Sequence, residues 1–569
     1  MKNFVKVGLT TGVVLSAIMP YGGVHAATED LKVETKEDTF RTGNLTAPSQ
    51  KSAENVAKDA LKGKTEQALS SKQINTESKV NYNVTQSRKS YDGTTLVRLQ
   101  QTYEGRDVYG YQLTAHINDD GVLTSVSGDS AQDLQQQEDL KQPITLSEED
   151  AKKQLFKIYG DNLTFVEEPE IKQVVYVDEN TNKATNAYQI TFSASTPEYV
   201  SGTVLIDAFV GDLLKELVQK LGIQVDSSIV QSATANKSQD PSKLTGTGTG
   251  TGKDDLGINR TFGITQRSDG TYTLADYSRG KGIETYTANY KDYNNYRRNV
   301  WGYLDDLVTS NSTNFTDPKA VSAHYLATKV YDFYQEKYSR NSFDNNGQKV
   351  ISVVHGWNTN GKNIGNPKQW FNAFSNGAML VYGDPIVRAF DVAGHEFTHA
   401  VTRNESGLEY AGEAGAINEA LSDILGVAVE KYANNGKFNW TMGEQSGRIF
   451  RDMKNPSSIS SRYPEDYRHY NNLPIDADHD YGGVHTNSSI INKVAYLIAS
   501  GGNHNGVNVQ GIGEDKMFDI FYYANTDELN MTSDFKELKE ACIRVATNLY
   551  GKDSLEVQAV QQAFKAAYI

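Results

Sequence analysis

Apolar and polar positions change their period several times along the chain, and each change marks an element boundary. From Leu96 to Asp129 they alternate between turn signals, as in Thr95 to Gly105 and Tyr111 to Gly121, which predicts antiparallel strands. A helix is expected from Leu146, capped by Ser147 with Glu148 and Glu149 in its first turn. Strands are expected again near Val174 to Val177, Tyr188 to Phe192 and Gly202 to Ile206. This half predicts two small α+β or β-rich modules. From Gln224 to Lys253 the pattern dissolves into Ser, Thr, Gly, Asn and Asp, ending in alternating Thr and Gly, the composition of a cleavable linker. Strand-like, turn-rich sequence runs from Leu256 to about Tyr290. Helical spacing then predicts helices at Ala320 to Lys337, Val387 to Val401, Ala414 to Asn434, Thr486 to Ser500 and in the C-terminal segments.

The first residues change the picture of where the protein works. Lys2 and Lys6 precede a largely apolar, uncharged run from Val7 to Pro20, and Val24-His25-Ala26 offers a cut near Ala26. That is the pattern of a secretory signal, and the run is shorter than the roughly 20 residues that span a bilayer. The expected product is secreted and extracellular, with no membrane attachment after processing. With 569 residues and 38% hydrophobic side chains the chain can build more than one core. A formal net charge of -15 disfavours nucleic acid and anionic membranes as partners. The single cysteine, Cys542, excludes an intramolecular disulfide; Leu538, Cys542, Val545 and Leu549 recur at helical spacing, so Cys542 is expected in a core. Lys253 ends a Gly-rich run that imitates a phosphate loop, but Thr247 stands where the first glycine is needed and Asp254 where Ser or Thr is needed.

The chemistry is concentrated in two of the predicted helices. His395-Glu396-Phe397-Thr398-His399 places two imidazoles four residues apart on one helix face, so both can reach one ion, with Glu396 near its open position. Twenty residues after His399, Glu419 can supply a third ligand from a second helix, and Asp423 lies one turn beyond it. Two histidines and one glutamate form a catalytic zinc set with one position left for water. Asp423 would accept the other ring N–H of a ligating histidine and fix its tautomer.

Three segments then carry a family resemblance: Val392 to Thr402, Gly415 to Asp423 and Gly482 to Lys493. In order and spacing, the region from about Leu244 to the C-terminus resembles thermolysin and the bacillolysin-type neutral metalloproteases. The resemblance implies an α+β fold, a β-rich N-terminal lobe and a helical C-terminal lobe with the active-site helix between them. A small α+β or β-rich propeptide, inhibitory and folding-assisting, would precede them. The implied division is signal 1–26, propeptide 27–243, and lobes 244–400 and 401–569. By resemblance, His395, His399 and Glu419 fall on the zinc ligands, Glu396 on the general base, Asp423 on the carboxylate behind a ligand, His485 and Tyr410 on oxyanion donors, and Asp480 behind His485. Asn372, Ala373 and Arg451 fall on groups that hold the substrate backbone. Val392, Met442 and Phe450 align with the apolar walls of the pocket for the residue after the cut, which implies a hydrophobic side chain there.

The departures concern calcium. Asp391, Glu430 and Glu444 stand where the family has an inner calcium site, but Asn439 and Thr441 replace two further acids, which implies weaker binding and one ion in place of two. The stretch from Glu444 to Arg451 is short and that from Arg451 to His485 long. The implied protein is a monomeric zinc endopeptidase, with protein or peptide substrates and its own propeptide as inhibitor. No Gly-x-Ser-x-Gly elbow supports a serine hydrolase. A dead zinc-holding scaffold would tolerate loss of Glu396, Tyr410 or His485, and all three are present. A zinc esterase or amidase is separated only by a substrate assay.

Overall fold

The computed structural model describes residues 41–71, 78–165, 168–196, 200–220, 244–290, 307–357, 366–375 and 379–569. The signal expected at 1–26 lies outside the described residues, as does the linker up to 243.

The N-terminal half is built on one ten-stranded sheet with helices α1 (Ala53–Ser71) and α2 (Glu148–Tyr159). Ser147 caps α2 by accepting from Asp150 N, as the sequence predicts. Its two larger apolar cores lie around Val97, Leu99 and Leu113 and around Leu155, Ile190 and Ile206, and a smaller cluster gathers Tyr109, Val174 and Leu205. Both larger cores lie on the same sheet. Arg106–Ile117 and Glu170–Val177 pair in parallel at Asp107↔Val174 and Val108↔Val175, which fuses the two halves into one backbone ladder.

The Thr-Gly run brings a correction. Leu244–Lys253 is a strand, paired along its length with Asn259–Arg267 and, at its end, with Asn314–Phe315. A Cβ on Gly250 would lie 2.5 Å from the Ile264 side chain, and one on Gly252 would lie 2.5 Å from that of Val321. Glycine is needed there because the sheet packs closely, while the intervening threonines face solvent.

A second five-stranded sheet holds Ala275–Asp276, Ile283–Thr287, Val350–Val354, Leu380–Tyr382 and Ala373–Ser375 in that order. Its last two strands are antiparallel, and Gly383 N donates to Asn372 O, so the segment expected to face substrate lies on a sheet edge. Helix α3 (Pro318–Tyr338) covers this lobe. Five helices follow: α4 (Phe390–Asn404), α5 (Gly412–Ala433), α6 (Asp480–Ser500), α7 (Glu514–Tyr523) and α8 (Phe535–Tyr550); α9 (Leu555–Ala566) closes the lobe. One continuous core runs from Phe262 to Phe564 through both lobes, and Cys542 is buried in it as expected.

Candidate active site

The site exists because α4 and α5 cross closely. A Cβ on Gly394 would meet Gly426 Cα at 2.9 Å, and one on Gly426 would meet Asp391 O at 2.4 Å. Two glycines thus let the backbones approach. One turn of each helix then carries its polar side chains into a shared buried space: His395 and His399 from α4, and Asn418, Glu419, Ser422 and Asp423 from α5.

The ligand atoms of His395, His399 and Glu419 all lie within 4.8 Å of one another. His395 Nδ1 lies 2.8 Å from Asp423 Oδ1, and His399 Nδ1 lies 2.8 Å from Asn418 Oδ1. Asn418 Nδ2 donates to Leu408 O, which turns its oxygen toward His399. Each imidazole therefore donates Nδ1–H outward and presents its Nε2 lone pair inward. The two Nε2 atoms are 3.0 Å apart, and Glu419 Oε2 is buried with no hydrogen-bond partner. Converging lone pairs and an unsatisfied buried carboxylate oxygen repel one another unless a cation lies among them. Two imidazoles and a carboxylate, tautomers fixed, are a donor set that fits zinc.

Asp423 anchors this arrangement from three sides. Besides His395 it accepts from Arg451 Nη2 at 2.7 Å and from Asn492 Nδ2 at 2.8 Å, and Arg451 Nε lies in ion-pair range at 2.7 Å. Burial opposes its ionisation, but the Arg451 charge and the His395 contact outweigh this and hold its carboxyl below the usual range. Arg451, expected to meet substrate, lines the cleft while committing two nitrogens to Asp423. The supporting roles of Asn418 and Asn492 escape a reading by ligand spacing, although both stand inside the motifs that carry the resemblance.

His485 arrives by a different device. Asp480, Tyr481, Gly482 and Gly483 all have positive φ, so the chain turns sharply before the regular helix begins near Val484. Asp480 then accepts from His485 N at 2.9 Å and lies 2.6 Å from His485 Nδ1. His485 Nε2 lies 3.2 Å from the Tyr410 hydroxyl and 3.5 Å from Glu419 Oε1, and Tyr410 OH donates to Glu419. The His485 side chain is 46% exposed; the desolvation it does suffer opposes protonation, but the Glu419 charge and the Asp480 hydrogen bond outweigh it and raise its pKa to about 9. Burial and the Glu419 charge push the Tyr410 hydroxyl well up, so it stays a donor.

A cleft of about 290 Å³ opens onto these groups. Asn372, Ala373, Val392, His395, Glu396, Met442, Phe450, Arg451 and His485 line it, bringing together most of the residues expected from the sequence. Phe371, Ile386 and Arg448 complete the wall; none has a local signal that separates it from ordinary core or surface.

The acidic trio lies behind α4. Asp391 Oδ1 accepts from Val392 N at 2.8 Å and Oδ2 from Gly443 N. Burial and then the Glu444 charge raise its pKa to about 7. Glu430 rises to about 9 from burial and from Asp391 and Glu444, and its Oε2 is buried without a partner. Among the described residues, however, only the His395, His399 and Glu419 group brings three ligand atoms within 4.8 Å.

Comparison with known proteins decides the family. The thermolysin metallopeptidase catalytic domain matches residues 249–403, its alpha-helical domain matches 406–569, and the fungalysin/thermolysin propeptide motif matches 80–130. The chain belongs to the thermolysin metallopeptidase family. A bacillolysin of Brevibacillus brevis is 36% identical over 85% of this chain and 84% of its own; one of Bacillus cereus is 35% identical over 99% of each. A thermolysin of Bacillus sp. (strain EA1) is 37% identical over 83% of each chain. Membership of the thermolysin family makes this protein a zinc metalloendopeptidase produced with a propeptide, acting on peptides and carrying its own inhibitor. No helix among the described residues is long and apolar enough to cross a membrane.

Proposed function

We propose that the protein is a secreted, monomeric endopeptidase that cuts internal peptide bonds before a hydrophobic residue and matures by cutting itself between about residues 230 and 245. The observation that carries the reading is the convergence of His395, His399 and the unsatisfied Glu419 oxygen at the end of a cleft whose other wall is Ile386, Val392, Met442 and Phe450. A zinc ion held by His395, His399 and Glu419 supplies Lewis acidity and a water of lowered pKa.

The chain's own residues do the rest. Glu396, at the cleft wall beside His395, takes the proton of the attacking water and delivers it to the leaving amine. Tyr410 and the protonated His485, steadied by Asp480, donate to the oxyanion that develops at the scissile carbonyl. Asn372, Ala373 and Arg451 hold the substrate backbone along the edge strand, and the apolar wall takes the side chain after the cut. Asp423, through His395, positions a ligand.

The division at 26, 243 and 400 is kept as part of this proposal. The propeptide's last described strand, Leu213–Lys220, meets the catalytic body at the sequence neighbours of Tyr410 and Asp480: Tyr481 OH donates to Val218 O at 2.8 Å, and Lys215 pairs with Glu409 at 2.8 Å. That course supports inhibition and self-cutting. Asp391, Glu430 and Glu444 would hold one calcium ion that ties α4 to α5, with Asn439 and Thr441 making the dependence mild.

The test is digestion of casein and of labelled peptides by the protein collected from the medium, with and without a zinc chelator. Chelator-sensitive cutting before Leu or Phe is expected. Cutting that ignores the chelator, hydrolysis of simple esters only, or a preference for a charged residue after the cut would overturn it.

A further inference from the structure

Helix α7 does not end in the usual way. It continues into one π-helical turn, Ala524–Glu528, and Leu529 leaves it extended. The last carbonyls of a helix lack intrahelical partners and carry negative partial charge, and π turns gather at functional positions. Here four successive carbonyls accept from the propeptide. Thr526 O takes Arg88 Nη2 and Arg98 Nη2, both at 2.8 Å, and Leu529 O takes Arg98 Nη1 at 2.8 Å. Asp527 O lies 3.0 Å from His116 Nε2, and Glu528 O accepts from Ser127 Oγ at 2.7 Å.

Carboxylates complete the enclosure. Arg88 Nη2 lies 2.9 Å from Asp527 Oδ1 and 3.1 Å from Glu405 Oε2, and Glu405 caps the C-terminus of α4, the helix that bears the two histidines. Asp527, Glu528 and Glu405 are all buried. Burial opposes ionisation of Asp527, but Arg88 outweighs it and holds the carboxyl below its usual range. On the propeptide side, Arg98 stands opposite Gln86, two residues from Arg88, so both guanidinium groups leave the same face of one hairpin. Arg98 also donates to Thr114 Oγ1, which fixes its fork. A planar fork can bridge Thr526 O and Leu529 O at once; a single ammonium group has no such fixed geometry.

We propose that the end of α7, with Asp527 and Glu405, is a guanidinium-binding site of the catalytic body, separate from the cleft, and the anchor that keeps the propeptide bound once the chain is cut between about residues 230 and 245. Its ligand is a pair of arginine side chains on adjacent antiparallel strands. The inference rests on the reading of the N-terminal half as a propeptide.

The experiment uses the full chain with Glu396→Gln, so that no self-cutting intervenes, and with the recognition sequence of an added sequence-specific protease placed between residues 224 and 240. After cutting by that protease, the rate at which the propeptide leaves the catalytic body is followed by gel filtration. Arg88→Gln, Arg98→Lys and Asp527→Asn should each raise that rate about tenfold or more, the size expected when a buried charged hydrogen bond is lost. Arg88→Gln combined with Asp527→Asn should raise the rate by less than the product of the two single effects, because the two share the Arg88–Asp527 pair, although Asp527 also accepts from Ser90 Oγ and Tyr91 N. Added N-acetyl-arginine amide should slow rebinding while its lysine counterpart should not. Unchanged rates in all variants, additive effects in the double variant, or equal competition by lysine would overturn the proposal. Since cutting does not depend on the chain's own activity, a failure to digest casein would overturn the proposed function and leave this result standing.

Discussion

Two buried clusters of charge invite comparison, one where α4 crosses α5 and one where α7 ends. At the crossing, the acceptors face one another: two Nε2 atoms 3.0 Å apart and a buried carboxylate oxygen without a hydrogen-bond partner. At the end of α7, the four carbonyls and Asp527 are answered by arginine, histidine and serine from the propeptide. Each buried polar group must find a partner or be costly. The crossing leaves its need to something outside the polypeptide, whereas the end of α7 meets its need from another part of the same chain. A cluster that protein atoms cannot satisfy points to a ligand; one that they satisfy across modules points to an interface.

The strongest way to separate chemistry from holding is Glu396→Gln. It should keep zinc, measured by metal analysis, and lose several orders of magnitude in turnover on a labelled peptide. Near-normal turnover would sink the role given to Glu396. Removing the support behind a ligand should do the opposite: Asp423→Asn should weaken zinc binding about 10–100-fold, read by competition with a chelator, without altering propeptide retention. A variant that holds zinc as tightly as the parent would show that the Asp423 contact is incidental.

At the other cluster, Glu405 serves two arginines, Arg88 at 3.1 Å and Arg340 at 2.6 Å. Glu405→Gln strands the buried Arg340 and should cost about 3–5 kcal/mol of stability while leaving zinc affinity alone. Calorimetry of the uncut chain, with metal analysis, decides this; an unchanged melting temperature would contradict it.

The smallest effect belongs to His355, held between Asp384 Oδ1 at 2.7 Å and Asp317 Oδ2 at 2.9 Å. Burial disfavours its charged form, but the two carboxylates raise its pKa to about 9. A histidine raised above its unfolded value contributes stability that is fully present below about pH 6.5 and is lost as pH rises through about 9. The melting-temperature gap between the parent and His355→Gln should therefore shrink across that window. A gap that is constant or grows would reverse the sign assigned to this contact.

Much of the active site was legible because its logic is local. Four residues of helical spacing in His395 to His399 fix a shared face, and Glu419 with Asp423 repeats the device on the next helix. The cap at Ser147 and the alternating strands from Leu96 onward are local in the same sense. The Thr-Gly run misled because composition alone suggests a linker, and only Ile264 and Val321, packed against Gly250 and Gly252, make those glycines a requirement of a strand. The turn at Asp480 to Gly483 was likewise hidden, since the helical pattern from Thr486 does not reveal how His485 is aimed.

The sequence by itself determined the candidate ligand set, the helices that carry it and most of the strand pattern, because those depend on residues within a turn or two of one another. Tertiary structure alone decided that two propeptide cores share one sheet, that Gly394 meets Gly426, and that Arg88 and Arg98 seat on carbonyls more than four hundred residues away. No periodicity can encode such contacts, since a side chain's partner across the fold leaves no mark on its own neighbours in sequence; the close packing of already formed elements selects it.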